Sequence, residues 1–266
     1  VSHRLDTLAQ TNRLRALPPG QKLAFTAALL LLALLSAPVV QLAISLWLLV
    51  WVVAYAGIPW KAYLSLLLLP LGFALISLPA IVINGAGSTE FAALQGDVWQ
   101  GWSQPLGPLT LYISQQGLQQ AVVLLSRSLA ASSAMFFLLL TTPFTELIQV
   151  LRKVGIPPLL LELMTFTYGF ILHFWAIVED IARAQRARAG YSSWRRSLQS
   201  LSLLIGQLLQ RSVATYRGLA MGLAARGFQG ELRLLSCNSH RPSPRHQVEA
   251  VAGLALLSAL AFSCPR

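Results

Sequence analysis

Few side chains in this sequence stand where they could do chemistry. Cys237-Asn238-Ser239-His240, with His246 close behind, has the spacing of a metal-binding tract and offers soft and borderline donors suited to zinc or cobalt. Such a short run in a proline-rich segment arises more often by chance, so no metal ligand is assigned to it. Gly101-Trp102-Ser103 and Gly85-Ala86-Gly87-Ser88 present serines in glycine-rich surroundings. A serine nucleophile needs a base beside it, and the neighbouring apolar stretches carry no histidine, which argues against an intramembrane serine protease. No glycine-rich loop ending in Lys-Ser or Lys-Thr occurs, so ATP cannot be bound that way and any ATP-driven role requires another subunit. No catalytic residue is expected, and the chain is not expected to be an enzyme.

The arginines offer more. Two similar phrases, Ala187-Arg188-Ala189-Gly190-Tyr191 and Ala225-Arg226-Gly227-Phe228, each end a helical run in arginine, followed at once or one residue later by glycine and then an aromatic. Glycine ends a helix because it enters the left-handed conformation without steric cost, so Gly190 and Gly227 are expected to be the helix-ending residues. An arginine there meets the negative end of the helix dipole. Guanidinium makes planar, bidentate bonds to carboxylates, which would suit two arginine tips held in acidic grooves of a soluble partner; lipid phosphates could receive the same groups. Arg127 poses a separate question. It interrupts an apolar stretch, where a charge costs several kcal/mol unless paired or wet, and Glu162 and Glu90 are its candidate partners. Arg127 with Glu162 is the candidate intramembrane polar pair.

The elements that position these arginines follow from composition. Of 266 residues, 55% are hydrophobic and 11% charged, against roughly 25% charged in soluble domains, and mean hydropathy is +0.62. That is the balance of an all-α polytopic membrane protein. A net charge of +11 could suggest nucleic acid, but thirteen of the twenty Lys and Arg fall between Pro143 and Gln247 and none between Lys61 and Arg127. Such asymmetry follows the positive-inside rule, so the bilayer is the expected counterpart and nucleic acid is not. Cys237 and Cys264 make no disulfide framework. No cleavable signal peptide is expected from the polar, basic start, which carries Arg4, Arg13, Arg15 and Lys22.

About five transmembrane helices are expected, with long amphipathic cytoplasmic helices. Residues 1–22 read as a cytoplasmic N-terminus, with Lys22 snorkelling to the interface. Residues 23–142 read as a four-span membrane block, with apolar runs over 23–38, 41–56, 62–83 and 118–141. The stretch 84–117 has no cation and is rich in Gly, Ser and Gln, so it reads as an external loop. Residues 143–235 read as a cytoplasmic helical domain: a short amphipathic helix over 144–154, a long helix over 159–189 that starts apolar and ends polar, and a striped helix over 194–226 capped by Ser192 and Ser193. Glu179 and Arg183 would pair one turn apart, and His173 would be buried. A tether over 236–247 leads to a final span within 248–266. Counting spans from a cytoplasmic start puts the cation-free loop outside and the arginine-rich block inside.

Several runs carry a family likeness: Thr141-Thr142-Pro143-Phe144-Thr145-Glu146-Leu147, Gly155-Ile156-Pro157, Leu161-Glu162-Leu163-Met164, Thr167-Tyr168, and the two arginine phrases, the second continuing to Arg233. With the His3-Arg4-Leu5-Asp6 opening, they resemble the CbiQ family, the transmembrane T component of energy-coupling factor transporters of the cobalt and nickel type. The resemblance is strongest over 141–233 and does not reach the final segment. It implies a non-catalytic scaffold in a bacterial cytoplasmic membrane that joins two ABC-type ATPases to a membrane substrate-capture subunit, with a small auxiliary membrane subunit. It implies ATPase docking by Ala187, Arg188 and Ala189 and by Ala225, Arg226 and Gly227. The implied cargo is a transition-metal ion, cobalt before nickel. ATP and Mg would be used by the ATPases, with no cofactor on this chain. A conventional ABC permease and a membrane-bound enzyme are the competing readings.

Overall fold

The structure, a computed structural model, describes residues 2–87, 97–106, 109–227 and 244–263. The chain forms two compact units, one from Val1–Pro143 with Asn238–Arg266 and one from Phe144–Cys237.

The first unit is a helical bundle: α1 (Ser2–Thr11), α2 (Pro19–Leu35), α3 (Pro38–Val50), α4 (Trp60–Val82), α5 (Gln115–Thr141) and α9 (Pro244–Ser263). Helix α5 packs against α1, α2, α3 and α4. It can approach them because its inner face is built of small residues, with Ala121, Ala130, Ser133 and Ala134 all buried. Around them lie Leu29 and Ala33 of α2, Ile44 and Leu48 of α3, Tyr63 and Leu67 of α4, and Phe137 and Leu140 of α5. The outer faces are apolar too: Leu69, Phe73 and Ile76 of α4 are 77%, 76% and 81% exposed, as expected where lipid is the solvent. Proline begins both α2 and α3, where its missing N–H costs nothing. The last turn of α3 widens into a π-helical turn over Trp51–Tyr55, closed by the Ala56 N–H donating to the Trp51 carbonyl at 2.9 Å. Gly57 then reverses the chain at φ +72°, a region glycine enters freely.

Among the described residues, five helices are long and apolar enough to cross a membrane: α3 with its π turn, α4, α5, α7 (Pro158–Ala187) and α9. This is a polytopic all-α membrane protein. The set differs from the expected one in two members. Helix α2 has 17 residues, about 26 Å of helix against a roughly 30 Å hydrocarbon layer. Helix α7 gains span length because its apolar first half and polar second half form one continuous helix.

Two further expectations are corrected, and the N-terminal stretch gains a structure. The stretch after α4 contains a small antiparallel sheet in place of a plain loop: β1 (Ile83–Gly87), β2 (Val98–Leu106) and β3 (Leu109–Ser114), in the order β1-β3-β2. The alternation Leu109-Thr110-Leu111-Tyr112-Ile113-Ser114 was the period-two signal for β3. Tyr112 and Ser114 are buried. Helix α9 begins at Pro244, ahead of Val248, and so takes in the end of the expected tether. The N-terminal stretch is helical and packs on α5, with Ala9 and Asn12 buried.

The second unit comprises α6 (Phe144–Lys153), α7 and α8 (Trp194–Ala225). Gly155 at φ +95° and the Pro157-Pro158 pair separate α6 from α7. The Phe144 ring stacks on Tyr168 with centroids 4.7 Å apart.

Candidate docking site: two arginine-capped helix ends

Helices α7 and α8 form an antiparallel hairpin. Gln185 Nε2 donates to the Ser200 carbonyl at 2.8 Å near the turn; His173 and Thr215 meet at 3.3 Å midway along α7. A small core of Ile177, Ile181 and Leu204 lies between. Ser193 caps α8, as its residue type predicts, its hydroxyl accepting from the Arg196 N–H.

The end of α7 is closed by two reverse hydrogen bonds. The Gly190 N–H donates to the Gln185 carbonyl at 2.8 Å and the Ala189 N–H to the Arg186 carbonyl at 3.0 Å. This double closure leaves Arg188 as the capping residue and requires the next one to be left-handed. That residue is Ala189, at φ +55°, and not Gly190 as expected. Gly190 serves another purpose: a Cβ there would lie 2.7 Å from the Ser200 hydroxyl, so its lack of a side chain lets the turn close onto α8. Ser200 Oγ donates back to the Gly190 carbonyl at 2.9 Å, and Tyr191 OH donates to Gln185 Oε1 at 2.7 Å. At the end of α8, Gly227 is left-handed at φ +70°, as expected, and its N–H donates to the Ala224 carbonyl.

Arg188 and Arg226 therefore occupy the same backbone position. Both are C-caps, at φ −97°, ψ 18° and φ −91°, ψ 10°, and both are exposed. Each lies at the carbonyl end of its helix, where a cation is favoured. The antiparallel packing puts them at opposite ends of the hairpin, Arg188 at its turn and Arg226 at its open end, separated by the length of α8, roughly 48 Å for its 32 residues. Arg188 also borders a groove of about 320 Å³ with Asp180, Gln185, Gln207 and Arg211. Ala187, Ala189 and Ala225 are exposed beside the two tips, offering small surfaces over which a partner could close.

The remaining polar residues fall as follows. Arg127 lies on α5 beside Gln116, Gln119 and Gln120, lining a shallow cavity of about 550 Å³. Its Nε is buried without a hydrogen-bond partner among the described residues. Glu162 is half-buried on α7, in the other compact unit; Glu90 lies outside the described residues. His173 is exposed, contrary to expectation. Arg183 pairs with Asp180, and Glu179 instead accepts from the Trp175 indole N–H at 2.8 Å. Among the described residues no three His, Cys, Asp or Glu converge as metal ligands; Cys237 and His240 lie outside them, as does the continuation from Phe228 to Arg233.

Sequence reasoning missed the polar network that locks the bundle. Lys22 is buried at 4% exposure, and its Nζ donates to the Thr141 carbonyl at 2.9 Å. It caps α5 and does not snorkel. Asn12 Nδ2 donates to the Leu140 carbonyl at 3.2 Å. Gln41, fully buried, donates from Nε2 to the carbonyls of Ala33 and Ser36, both at 2.9 Å, and its Oε1 accepts from the Ser126 hydroxyl at 2.6 Å. A lone glutamine inside an apolar run was the available signal. At the other end of α5, Ser114 Oγ and the Gln116 N–H donate to Asp97 at 2.6 and 3.0 Å. These bonds, the Ser114 hydroxyl first, hold the Asp97 carboxyl below the usual carboxylate range.

A family model described as cobalt transport protein, CbiQ, matches residues 10–235, which include both arginine phrases. The cobalt transport protein CbiQ of Rhodobacter capsulatus is 31% identical over 181 residues, 68% of this chain and 66% of that protein. The cobalt transport protein CbiQ of Salmonella typhimurium is 28% identical over 233 residues, 86% of this chain and 99% of that protein. A protein described as a fused cobalt transport protein CbiMQ, from Methanocorpusculum labreanum, is 29% identical over 240 residues, 90% of this chain and 38% of that protein. The chain belongs to the CbiQ family of cobalt transport proteins.

Proposed function

We propose that this chain is the transmembrane coupling subunit of an ATP-driven energy-coupling factor importer for a transition-metal ion, cobalt in first place and nickel as the alternative. Two ABC-type ATPases bind ATP and Mg and receive the two arginine tips: Ala187-Arg188-Ala189 enters one, Ala225-Arg226-Gly227 the other. The observation that carries this reading is the closely similar capping geometry of Arg188 and Arg226 at opposite ends of one antiparallel hairpin. A rigid hairpin with a handle at each end turns the closing of an ATPase pair into a change in its own tilt. The exposed apolar stripe of α8, including Leu198, Leu201, Leu209 and Val213, would slide against a membrane subunit that captures the metal. On this reading α2 crosses the bacterial inner membrane despite its length and α7, though long enough to span, lies on the cytoplasmic side, so that the N-terminus and the 143–235 domain are both cytoplasmic, in keeping with the distribution of Lys and Arg. The fusion in the Methanocorpusculum relative supports a second membrane component as neighbour.

The test is co-purification in mild detergent with ATPases encoded by the same organism, together with metal uptake in cells. Arg188→Glu and Arg226→Glu are each expected to abolish uptake and reduce ATPase recovery at least tenfold, while the chain still inserts in the membrane. Normal uptake in both variants sinks the proposal. Uptake of nickel without cobalt selects the alternative cargo.

A further inference from the structure

The bundle carries a groove, between the start of α2, the end of α3 and α9, that the coupling role does not use. It has a volume of about 480 Å³, within the roughly 300–1,000 Å³ of small-molecule sites. Its interior is apolar, formed by Leu17, Phe25, Trp51, Phe137, Ala250 and Leu254; among the described residues its polar lining is Gln21, Lys22, His246 and Gln247, and the Glu249 carboxylate beside His246 and Tyr55 is paired with Arg245. The floor is an aromatic cluster, Phe25 lying 5.4 Å from Trp51 and 5.7 Å from Phe137 between centroids. The π-helical turn of α3 carries Trp51 and Tyr55, whose rings stack at 5.0 Å. The His246 ring meets both edge-on, at 6.2 and 5.7 Å. One wall is α9, which lies outside the residues shared with the family.

Two observations choose the occupant. The polar side of the groove is at the basic end of the bundle. Lys22 Nζ bonds the Thr141 carbonyl and the Arg13 N–H the Ala56 carbonyl, so the start of α2 and the ends of α3 and α5 meet there, with Arg13 and Arg15 on the turn before α2; Arg245, beside His246, is already paired with Glu249 at 3.1 Å. Anionic groups are favoured at such an end. The interior, by contrast, offers hydrocarbon and aromatic rings, so a peptide entering it would leave backbone N–H and C=O groups unpaired. A molecule with one charged phosphate and an unbranched chain satisfies both ends. We propose that this groove binds one acyl chain of an anionic phospholipid, with the phosphate beside Lys22 and His246.

The test uses the full chain, delipidated in detergent and offered phosphatidylglycerol or phosphatidylcholine with identical oleoyl chains, then read by native mass spectrometry. One phosphatidylglycerol should be retained per chain, at least tenfold over phosphatidylcholine. Ala250→Trp, which fills the groove, should reduce retention at least tenfold, whereas Leu256→Trp on the exposed side of α9 should leave it unchanged. Should Ala250→Trp fail to fold, the unsubstituted chain still decides: phosphatidylglycerol with brominated acyl chains should quench tryptophan emission to saturation at one lipid per chain, and Trp51→Phe should remove most of the saturable part. Equal retention of the two lipids, or quenching that does not saturate, overturns the proposal. Because neither arginine tip takes part, this outcome is independent of ATPase docking.

Discussion

At the scale of single residues, the bundle is held by a few buried polar side chains whose worth comes from having no water to fall back on. Gln41 is the strongest case, since it bonds two carbonyls at the α2–α3 turn and a hydroxyl on α5. Gln41→Leu leaves those groups unpaired and is expected to destabilise the bundle by about 1–3 kcal/mol, read as a lower thermal midpoint in detergent; an unchanged midpoint would show that the network is dispensable. Asp97 gives a pH signature. Its carboxyl is held below its ordinary value by the Ser114 hydroxyl and the Gln116 N–H, so its support for the first turn of α5 is complete above the unfolded value of about 3.9. That support is lost as pH falls through the lowered folded value. Exchange of the Gln116 amide, corrected for its intrinsic rate, should accelerate only below about pH 4, and Asp97→Asn should remove that dependence.

At the scale of elements, the end of α7 joins residue type to geometry. An L-residue in the left-handed region carries a cost that glycine escapes, so Ala189→Gly is expected to stabilise the hairpin by about 0.5–1 kcal/mol. Gly190→Val should destabilise it, because its Cβ meets Ser200 and the Gln185 carbonyl. Amide exchange along α7 and α8 measures both; if Gly190→Val leaves exchange unchanged, the close turn is not what joins the helices. Helix α9 docks by a similar absence: a Cβ on Gly253 would overlap the Trp47 ring. Gly253→Val should therefore release α9 and expose Leu257 to labelling, while α2 to α5 stay folded. That both arginine phrases end helices was legible from their spelling, because glycine and arginine have strong local preferences there. Which residue turns left-handed was not, since it depends on how closely α8 approaches the turn.

At the scale of the whole molecule, Arg127 and Glu162 belong to different compact units, and their pairing stands as a proposal. Exchanging the two charges should restore uptake lost in Arg127→Glu alone; failure of the exchange would assign Arg127 to another partner. Composition and the placement of twenty cations were enough to establish a polytopic helical membrane protein with one basic block, because hydropathy and the cost of moving charge across a bilayer act through composition and order along the chain. Family membership was likewise legible, in short motifs at helix ends. Tertiary structure alone decided that the cation-free stretch pairs into a sheet and that Lys22 turns inward to cap α5. It also decided that two similarly spelled arginines stand at opposite ends of one hairpin. Each of these depends on which segments meet across long separations in sequence, and the partner of a polar group or the direction of a helix is set by those meetings.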